Sequence, residues 1–436
     1  MSPRSKRTSK RAATAVEAAR QVTKQTLLYP TNSSLFRCFL FPDMTAPILQ
    51  SKLPRVGTTV FSVMSALAAE HKAINLGQGF PDFDCDPRLV DAVTAAMKAG
   101  HNQYPLMTGA PLLRQRVAAK VAALHGVQYD ANTEVTITSG ATQGILSAIL
   151  AVVRAGDEVI VLEPCYDSYI PNIELAGGVA VPVPLMAGTF APDFDAVSAA
   201  VTPKTRAIIV NSPHNPSGRV WSAAQWDTLA DLIAERDIWL FSDEVYEHMV
   251  FDDVAHQSAA QHPRLRDRAF IISSFGKTFH VTGWKIGTVC APAPLTVEFR
   301  KVHQYTVFTA NSAMQQGIAE YLADPEPYLT LPAFYQAKRD RFVAGLAGTP
   351  LRVLPCEGAY FQCVSYADVV ELRDLPERAC SEWLTREIGV TPIPLSAFCS
   401  EPTEQQTIRF CFAKRDDTLD AALQRLAKLG VSTHRA

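Results

Sequence analysis

The segment Ser273–Gly287 holds a lysine, Lys277, among small and hydroxyl-bearing residues. Ser274 precedes this lysine by three positions, and Lys285 follows it by eight. A lysine amine can form a Schiff base with a carbonyl compound, while a hydroxyl and a second amine suit a phosphate dianion. A single lysine is far more often a solvated surface charge, so the inference depends on these neighbours. Together they indicate covalent binding of a phosphorylated carbonyl compound.

A carboxylate and a phenol follow the apolar run Trp239–Asp243, in the order Asp243, Glu244, Val245, Tyr246. An Asp at the end of a strand is most often a helix cap or a turn former. A buried carboxylate can also keep a nearby ring nitrogen protonated, because it favours the positive charge. The sequence leaves both readings open for Asp243.

Two further segments have the composition of loops that follow buried strands. Asn211–Gly218 contains Asn-Pro and Ser-Gly pairs and would ordinarily be read as a turn. Thr138–Gln143 lies between a strand pattern and a helix pattern, and a helix N-terminus with small residues favours an anion. Each signal is weak when taken alone.

Arg409 lies within the otherwise apolar run Ile408–Phe412. A buried charge is costly unless it is paired. One explanation is an internal salt bridge. The other is a bidentate contact from the guanidinium to the carboxylate of a ligand, which a lysine cannot make.

The elements that position these residues alternate between strand and helix over residues 90–325. Helix patterns such as Gln143–Arg154 and Ser222–Glu235 separate short apolar runs, which predicts a mostly parallel sheet with ligands at the carboxyl ends of its strands. The predicted strands are Glu134–Thr138, Glu158–Leu162, Ala207–Asn211, Trp239–Asp243, Ala269–Ser273 and Gly287–Cys290. Beyond residue 325, strands at Tyr360–Val364 and Ile408–Phe412 and helices at Lys338–Leu346, Glu377–Glu387 and Thr418–Leu429 predict a smaller α+β domain.

In these motifs the chain resembles the class I aminotransferases, pyridoxal 5′-phosphate (PLP) enzymes of fold type I, over residues 48–430. Within that family it is most similar to bacterial methionine aminotransferases and to kynurenine aminotransferase/glutamine transaminase K. The stretches that carry this similarity are Asn75–Phe83, Gly276–Gly287, Lys301–Phe308 and Ile408–Lys414. The resemblance implies an α/β fold, in which a large domain has a mostly parallel seven-stranded sheet of PLP-transferase type I and a smaller domain is α+β.

The resemblance also implies roles for individual residues. Lys277 carries PLP as a Schiff base and moves the substrate proton, Asp243 pairs with the ring nitrogen, and Tyr246 bonds the ring oxygen. The other residues expected at the cofactor are Asn215, Tyr166, Ala141, Thr142, Ser274, Lys285 and Tyr104. The residues expected at the substrate are Arg409, Gly79, Asn215, Phe61 and Phe308. Tyr104 and Phe308 match residues that reach into a neighbouring subunit's site, so we expect a homodimer with shared active sites.

The function implied is transfer of the amino group of methionine or an aromatic amino acid to a 2-oxo acid by a ping-pong mechanism. The residues expected to line the side-chain pocket are aromatic: Phe61, Tyr104, Tyr166 and Phe308. They include no second arginine that could pair with a second carboxylate, which argues against dicarboxylic substrates. A cysteine-S-conjugate β-lyase would use the same residues and is the alternative. A PLP-binding transcriptional sensor would need a fused DNA-binding module, and residues 1–43 lack a helix-turn-helix pattern.

Charge and cysteine content limit which partners, metal sites and cellular compartments are expected. The net charge of −2 over 436 residues offers no electrostatic footprint for nucleic acid or an anionic membrane. The nine cysteines are odd in number and have no CxxC spacing, which favours reduced thiols, no metal site and a soluble cytoplasmic protein.

The same features predict how the chain is organised into domains. Residues 1–43 are rich in Arg, Lys and Ser, which predicts a disordered basic extension or a transit peptide. We expect an N-terminal arm and part of the small domain at 44–89, the large PLP-binding domain at 90–325 and the small domain at 326–436.

Overall fold

A computed structural model gives the structure of the protein and describes residues 49–401 and 403–430. The helices and strands of the described residues all lie in the unit Ser51–Ala436. The α-helices of the described residues are α1 Val60–His71, α2 Pro87–Lys98, α3 Pro111–His125, α4 Gly140–Val152, α5 Tyr169–Leu175, α6 Phe194–Ala200, α7 Ala223–Ile233, α8 Pro263–Arg266, α9 Phe275–Thr278, α10 Ala293–Thr306, α11 Ser312–Tyr321, α12 Glu326–Leu329, α13 Leu331–Leu346, α14 Glu377–Trp383 and α15 Asp416–Leu426. A π-helical turn, Leu384–Ile388, continues α14.

The strands form three sheets. They are β1 Ile74–Asn75, β2 Val135–Thr138, β3 Glu158–Glu163, β4 Val179–Pro184, β5 Thr205–Asn211, β6 Trp239–Asp243, β7 Ala269–Ser274, β8 Gly287–Cys290, β9 Arg352–Val353, β10 Phe361–Ser365, β11 Val390–Thr391, β12 Ile393–Pro394 and β13 Thr407–Cys411. The large sheet has seven strands in the order β2-β8-β7-β6-β5-β3-β4. Its neighbouring strands run parallel except that β8 is antiparallel to both β2 and β7.

Both faces of the large sheet are buried. On β5, Ile208 and Val210 belong to one hydrophobic cluster, while Ala207 and Ile209 belong to another on the opposite face. Successive side chains of a strand point to opposite faces, so a continuous apolar run is what a strand covered by helices on both sides requires. This explains why the strands read as unbroken apolar segments in the sequence.

The connections after the parallel strands bring the chemical motifs to one edge of this sheet. Strand β6 ends at Asp243, and β7 ends at Ser274, directly before the short helix α9 that carries Lys277. Strand β2 leads through Ser139 into α4. Because parallel strands have their carboxyl ends at a common edge, residues far apart in sequence meet there.

Two smaller sheets are built from the first and last parts of the described chain. The antiparallel sheet has the order β12-β13-β10-β9, and in it Arg409 lies opposite Cys363 on one side and Ile393 on the other. The two-stranded sheet pairs β1 with β11 in parallel, so that a segment near residue 75 is held against one near residue 390. The predicted division into an N-terminal arm with part of the small domain at 44–89, a large domain at 90–325 and the small domain at 326–436 stays a prediction.

The predicted fold class is confirmed, and each of the six predicted strands of the large sheet is present within two residues of its predicted ends. The seventh, β4, was not assigned from the sequence. It contains Pro182 and Pro184, which lack the amide proton that a central strand needs. Strand β4 is tolerated because it lies at the edge of the sheet and pairs only with β3.

The predicted extension at 1–43 lies outside the described residues. Among the helices of residues 49–401 and 403–430, none is both long enough and apolar enough to cross a membrane.

Candidate active site

A cavity of about 400 Å³ opens at the carboxyl edge of the large sheet. Its walls include twelve of the residues predicted for the site: Phe61, Gly79, Ala141, Thr142, Tyr166, Asn215, Asp243, Tyr246, Ser274, Lys277, Lys285 and Arg409. These residues come from segments spread over most of the chain. The structure therefore brings together in one place what the sequence suggested only as separate motifs.

Lys277 is largely enclosed by protein, with part of its side chain facing the cavity. Its Nζ atom lies 3.0 Å from Oη of Tyr360 and 3.5 Å from the carbonyl oxygen of Gly79. Burial lowers the pKa of Lys277 to about 8, because a desolvated ammonium loses its hydration. About a tenth of this amine is therefore neutral, and nucleophilic, at pH 7.

Asp243 is buried, with 4% of its surface exposed. Its Oδ2 accepts a hydrogen bond of 2.6 Å from the Tyr169 hydroxyl, and its Oδ1 accepts one of 3.3 Å from the backbone amide of Val245. Burial raises the pKa of Asp243 to about 6, although these hydrogen bonds oppose the shift. A desolvated carboxylate held by neutral donors is suited to pair with a cation in the cavity.

The first turn of α4 lies at the cavity wall with Ser274 and Lys285, an arrangement called the cradle here because it can bind an anion. Gly140 begins this helix with a φ of +77°, and a Cβ there would lie 3.2 Å from Nζ of Lys285. Ala141 and Thr142 follow it at the cavity wall. The first amides of a helix have no partner within the helix, so they can bind an anion together with the hydroxyl and the ammonium.

Asn215 is held by a second asparagine at the end of β5. The side chain of Asn211 donates 2.8 Å to the carbonyl of Asp243 and accepts 2.7 Å from the backbone amide of Asn215. Asn215 in turn accepts a 2.7 Å hydrogen bond from Nη1 of Arg409. This chain of contacts connects the carboxyl ends of β5 and β6 to the guanidinium.

Arg409 projects from the middle of β13 and is 1% exposed. Besides Asn215, it donates 2.7 Å to the carbonyl of Gly77, and its guanidinium lies 4.0 Å from the ring centre of Phe361 and 4.7 Å from that of Phe398. Within the described part of the chain it forms no ion pair, and its Nε has no hydrogen-bond partner. The internal salt bridge considered from the sequence is therefore absent there, and the group suits a carboxylate ligand.

Two of the predicted residues do not line this cavity. Tyr104 and Phe308 pack edge to face at 5.3 Å between ring centres, and they are 81% and 45% exposed. Tyr104 instead lines a separate surface groove formed with Met97 and with residues 101–105 and 309–314.

The structure also adds four residues to the site that the sequence did not single out. Asn211 and Tyr169 hold Asn215 and Asp243, Tyr360 contacts Lys277, and Asp167 lines the cavity. The sequence predicts Tyr360 only as the first residue of a strand, and it assigns no role to Asp167 or Tyr169. No pattern within a single segment could have identified them, because each is defined by a contact with a distant segment.

The donor set fits pyridoxal phosphate. The cavity wall contains the largely buried amine of Lys277, the buried carboxylate of Asp243, and the first turn of α4 with Ser274 and Lys285. These groups match an aldehyde, a protonated ring nitrogen and a phosphate, in that order.

Comparison with known proteins agrees with this geometry. The model of the family "Aminotransferase class I and II" matches residues 71–426. Methionine aminotransferase of Escherichia coli K12 is 49% identical over 383 residues, which cover 88% of this chain and 98% of that protein. A probable N-succinyldiaminopimelate aminotransferase of Mycobacterium tuberculosis is 41% identical, covering 87% and 98%. Kynurenine–oxoglutarate transaminase 3 of Rattus norvegicus is 35% identical, covering 83% and 86%.

A crystal structure of an Escherichia coli protein with methionine aminotransferase function has the same fold. It matches with a TM-score of 0.86 at 48% identity, covering 88% of this chain and all of that one. The resemblance inferred from the sequence motifs is thus confirmed by the extent of the family match, by the identity of the relatives and by the fold. This chain belongs to the class I and II aminotransferases, whose members use pyridoxal 5′-phosphate.

Proposed function

We propose that this aminotransferase takes the amino group of methionine or an aromatic amino acid and passes it to a 2-oxo acid in a ping-pong cycle. The observation that carries the proposal is the composition of the cavity. Arg409 is the one arginine among its described lining residues, and the aromatic side chains of Phe61, Phe80, Tyr166 and Phe361 also line it. One guanidinium accounts for one carboxylate, and apolar walls favour an apolar side chain.

In this proposal Lys277 holds the cofactor covalently through its amine, and the same amine, once released, carries the substrate proton as base and then as acid. Asp243 keeps the ring nitrogen protonated, and Tyr246 and Asn215 bind the ring oxygen. The phosphate is bound by Ala141, Thr142, Ser274 and Lys285, and Tyr166 packs on the ring. When bound, the cofactor supplies a cationic ring that accepts the negative charge left on Cα after its proton departs.

Arg409 binds the substrate α-carboxylate, with the amide of Gly79 as the second contact. Its guanidinium is already oriented by Asn215 and Gly77, so little ordering remains to be done when substrate arrives. Fixing the carboxylate fixes the direction of the Cα–H bond relative to Lys277. Phe61 lies at the cavity wall, where it can contact the substrate side chain.

Asp167 adds a reason to expect poor activity with dicarboxylic substrates. It lines the cavity, and desolvation raises the pKa of its carboxyl while the charge of Arg409 opposes the shift. An ionised Asp167 would repel a second substrate carboxylate, which would also meet apolar walls. A methionine side chain gains about 2–3 kcal/mol from apolar burial and sulfur–aromatic contact.

The test is kcat/KM for methionine, phenylalanine, kynurenine, glutamine, N-succinyldiaminopimelate and aspartate with one shared 2-oxo acid. We expect methionine or an aromatic donor to exceed aspartate by at least about a hundredfold, which corresponds to about 2.7 kcal/mol. Aspartate or N-succinyldiaminopimelate as the best donor would contradict the assignment of the pocket. The named relatives are aminotransferases, so β-elimination is not favoured, and pyruvate release from a cysteine conjugate without added acceptor would reveal it.

The proposal includes a homodimer in the cytoplasm. Tyr104 and Phe308 are exposed and do not line the cavity of their own subunit. This supports a role for them in the active site of a neighbouring subunit. The eight cysteines of the described residues are all free thiols, as expected in a reducing compartment.

A further inference from the structure

Tyr360 links the amine of Lys277 to the segment that carries Gly79. Tyr360 lies directly before β10 and is fully buried. Its Oη accepts a hydrogen bond of 3.0 Å from Nζ of Lys277 and donates one of 2.6 Å to the carbonyl oxygen of Gly79. That same carbonyl lies 3.5 Å from Nζ of Lys277. The three groups therefore form a closed triangle of polar contacts.

The protons in this triangle have a defined direction. A tyrosine hydroxyl has one proton, and here the short contact to Gly79 takes it, so Oη can only accept from Lys277. A neutral lysine amine has two N–H bonds and one lone pair. With the N–H bonds directed to Tyr360 and Gly79, the lone pair is directed away from both, towards the cavity that Lys277 lines.

The ring of Tyr360 is held firmly enough to set this geometry. It packs edge to face on Phe361 at 4.7 Å and on Tyr246 at 5.0 Å, and it lies 5.8 Å from the ring of Tyr335. Close packing leaves a buried side chain few alternative rotamers. The position of the hydroxyl is therefore set by the core rather than by Lys277.

We propose that Tyr360 is a positioning residue for proton transfer, which orients the free amine of Lys277 so that its lone pair faces the substrate Cα. This inference rests on the proposed transamination, in which the amine of Lys277 accepts the Cα proton. The contact through Gly79 has a further consequence. Gly79, whose amide contacts the substrate carboxylate in this proposal, also accepts the hydrogen bond from Tyr360. The substrate carboxylate and the amine of Lys277 are therefore positioned by residues that contact each other.

Tyr360→Phe removes the hydroxyl and keeps the ring, so packing is preserved. Tyr335→Phe is the matched control, because Tyr335 is an adjacent buried tyrosine whose hydroxyl has no hydrogen-bond partner within the described chain. The measurements are kcat, KM and the isotope effect on kcat with methionine deuterated at Cα, together with the melting temperature of each variant. For Tyr360→Phe we expect kcat to fall about 10- to 100-fold at nearly unchanged KM, with a larger isotope effect. Tyr335→Phe should keep the wild-type isotope effect.

An unchanged kcat and isotope effect in Tyr360→Phe would overturn the proposal, as would a parallel loss in both variants. If Tyr360→Phe does not fold, the crystal structure of the wild-type holoenzyme with its cofactor in the amino form decides the question. A distance of about 3 Å between Nζ of Lys277 and Oη of Tyr360 supports the proposal, and a separation without contact overturns it. Absence of transamination in the wild type would instead contradict the proposed function itself.

Discussion

The site contains two buried charges that form no direct ion pair in the described chain. Asp243 and Arg409 are both almost fully enclosed, and both are satisfied only by neutral donors or acceptors. Such groups reduce stability in the absence of a ligand, because desolvation is only partly offset. Their presence in one cavity is explained by ligands that carry the complementary charges, a ring cation and a carboxylate.

Asp243→Asn should lower kcat by several orders of magnitude while PLP remains bound, because the amide keeps the shape but no longer holds the proton on the ring nitrogen. Burial raises the pKa of Asp243 to about 6, so the wild-type chain loses this charge as the pH falls through 6. Its affinity for PLP should therefore weaken below that pH. The measurements are kcat with methionine and the dissociation constant of PLP between pH 5 and 8.

The phosphate of PLP also titrates in this pH range. Asp243→Asn is the control that separates the titration of the phosphate from that of the Asp243 carboxyl. The variant lacks the titrating carboxyl and should show a flatter pH dependence of PLP binding than the wild type. Identical pH profiles would show that Asp243 does not pair with the ring. A rate within about tenfold of wild type, or ~1.4 kcal/mol, would show that the ring nitrogen is protonated by other means.

Asp167→Asn should relax the discrimination against dicarboxylic substrates. Removing the negative charge from the cavity wall should raise kcat/KM for aspartate and glutamate about tenfold, equivalent to about 1.4 kcal/mol, and leave methionine nearly unchanged. Asp167→Glu keeps the charge and is the control, which should retain the wild-type preference. Equal effects of the two substitutions would show that shape, and not charge, governs the contact.

At the level of an element, helix α4 contributes its N-terminus to the cradle, and Gly140 permits the close approach of Lys285. Gly140→Ala should weaken PLP binding about tenfold, because the new Cβ meets Nζ of Lys285 at 3.2 Å. It should also cost about 1 kcal/mol of stability from the positive φ. The measurements are the PLP dissociation constant and the free energy of unfolding.

Gly126→Ala separates these two effects. Gly126 has a φ of +68° and a Cβ there would meet nothing within 4 Å, so this variant should lose a similar stability and keep its affinity for PLP. If both variants lose affinity equally, the cradle assigned to the start of α4 is wrong. Unchanged affinity in both would have the same meaning.

For the whole molecule, the dimer hypothesis can be tested by complementation between two inactive variants. Tyr104→Ala and Lys277→Ala should each be nearly inactive alone. In a mixed dimer, the site on the Tyr104→Ala chain has its own Lys277 and receives Tyr104 from its neighbour. Random reassembly should therefore restore about a quarter of the wild-type activity per chain, since half the dimers are mixed and each has one intact site.

The control mixture combines Lys277→Ala with Asp243→Asn. If Lys277 and Asp243 act in the same chain's cavity, as their positions indicate, no site in this mixed dimer is complete and activity should not return. Failure of the first mixture to recover activity, with subunit exchange shown by native mass spectrometry, would place Tyr104 outside the catalytic site.

The sequence by itself determined the class of fold and the order of the chemical motifs. Apolar runs of strand length separated by helix patterns predicted the parallel sheet, because a strand buried on both faces must be apolar throughout. Lys277, Asp243 and Asn215 lie at or just after the ends of such runs, and the resemblance to the aminotransferase family implied their roles in the site. Strand β4 could not be predicted in this way. Its prolines are tolerated only at the edge of a sheet, and the sequence does not show which strand lies at the edge.

Only the tertiary structure decided how the charged groups are paired. The sequence left open whether Arg409 forms an internal salt bridge. In the structure its guanidinium instead donates hydrogen bonds to the side chain of Asn215 and the carbonyl of Gly77. Tyr169 and Tyr360 carried no signal of their own, because a hydroxyl in an apolar segment gives no indication of its partner. Their contacts join residues 74 and 83 positions apart, and the packing of distant elements sets them. Local patterns report how a segment is buried, whereas the partner of a buried polar group depends on the whole fold.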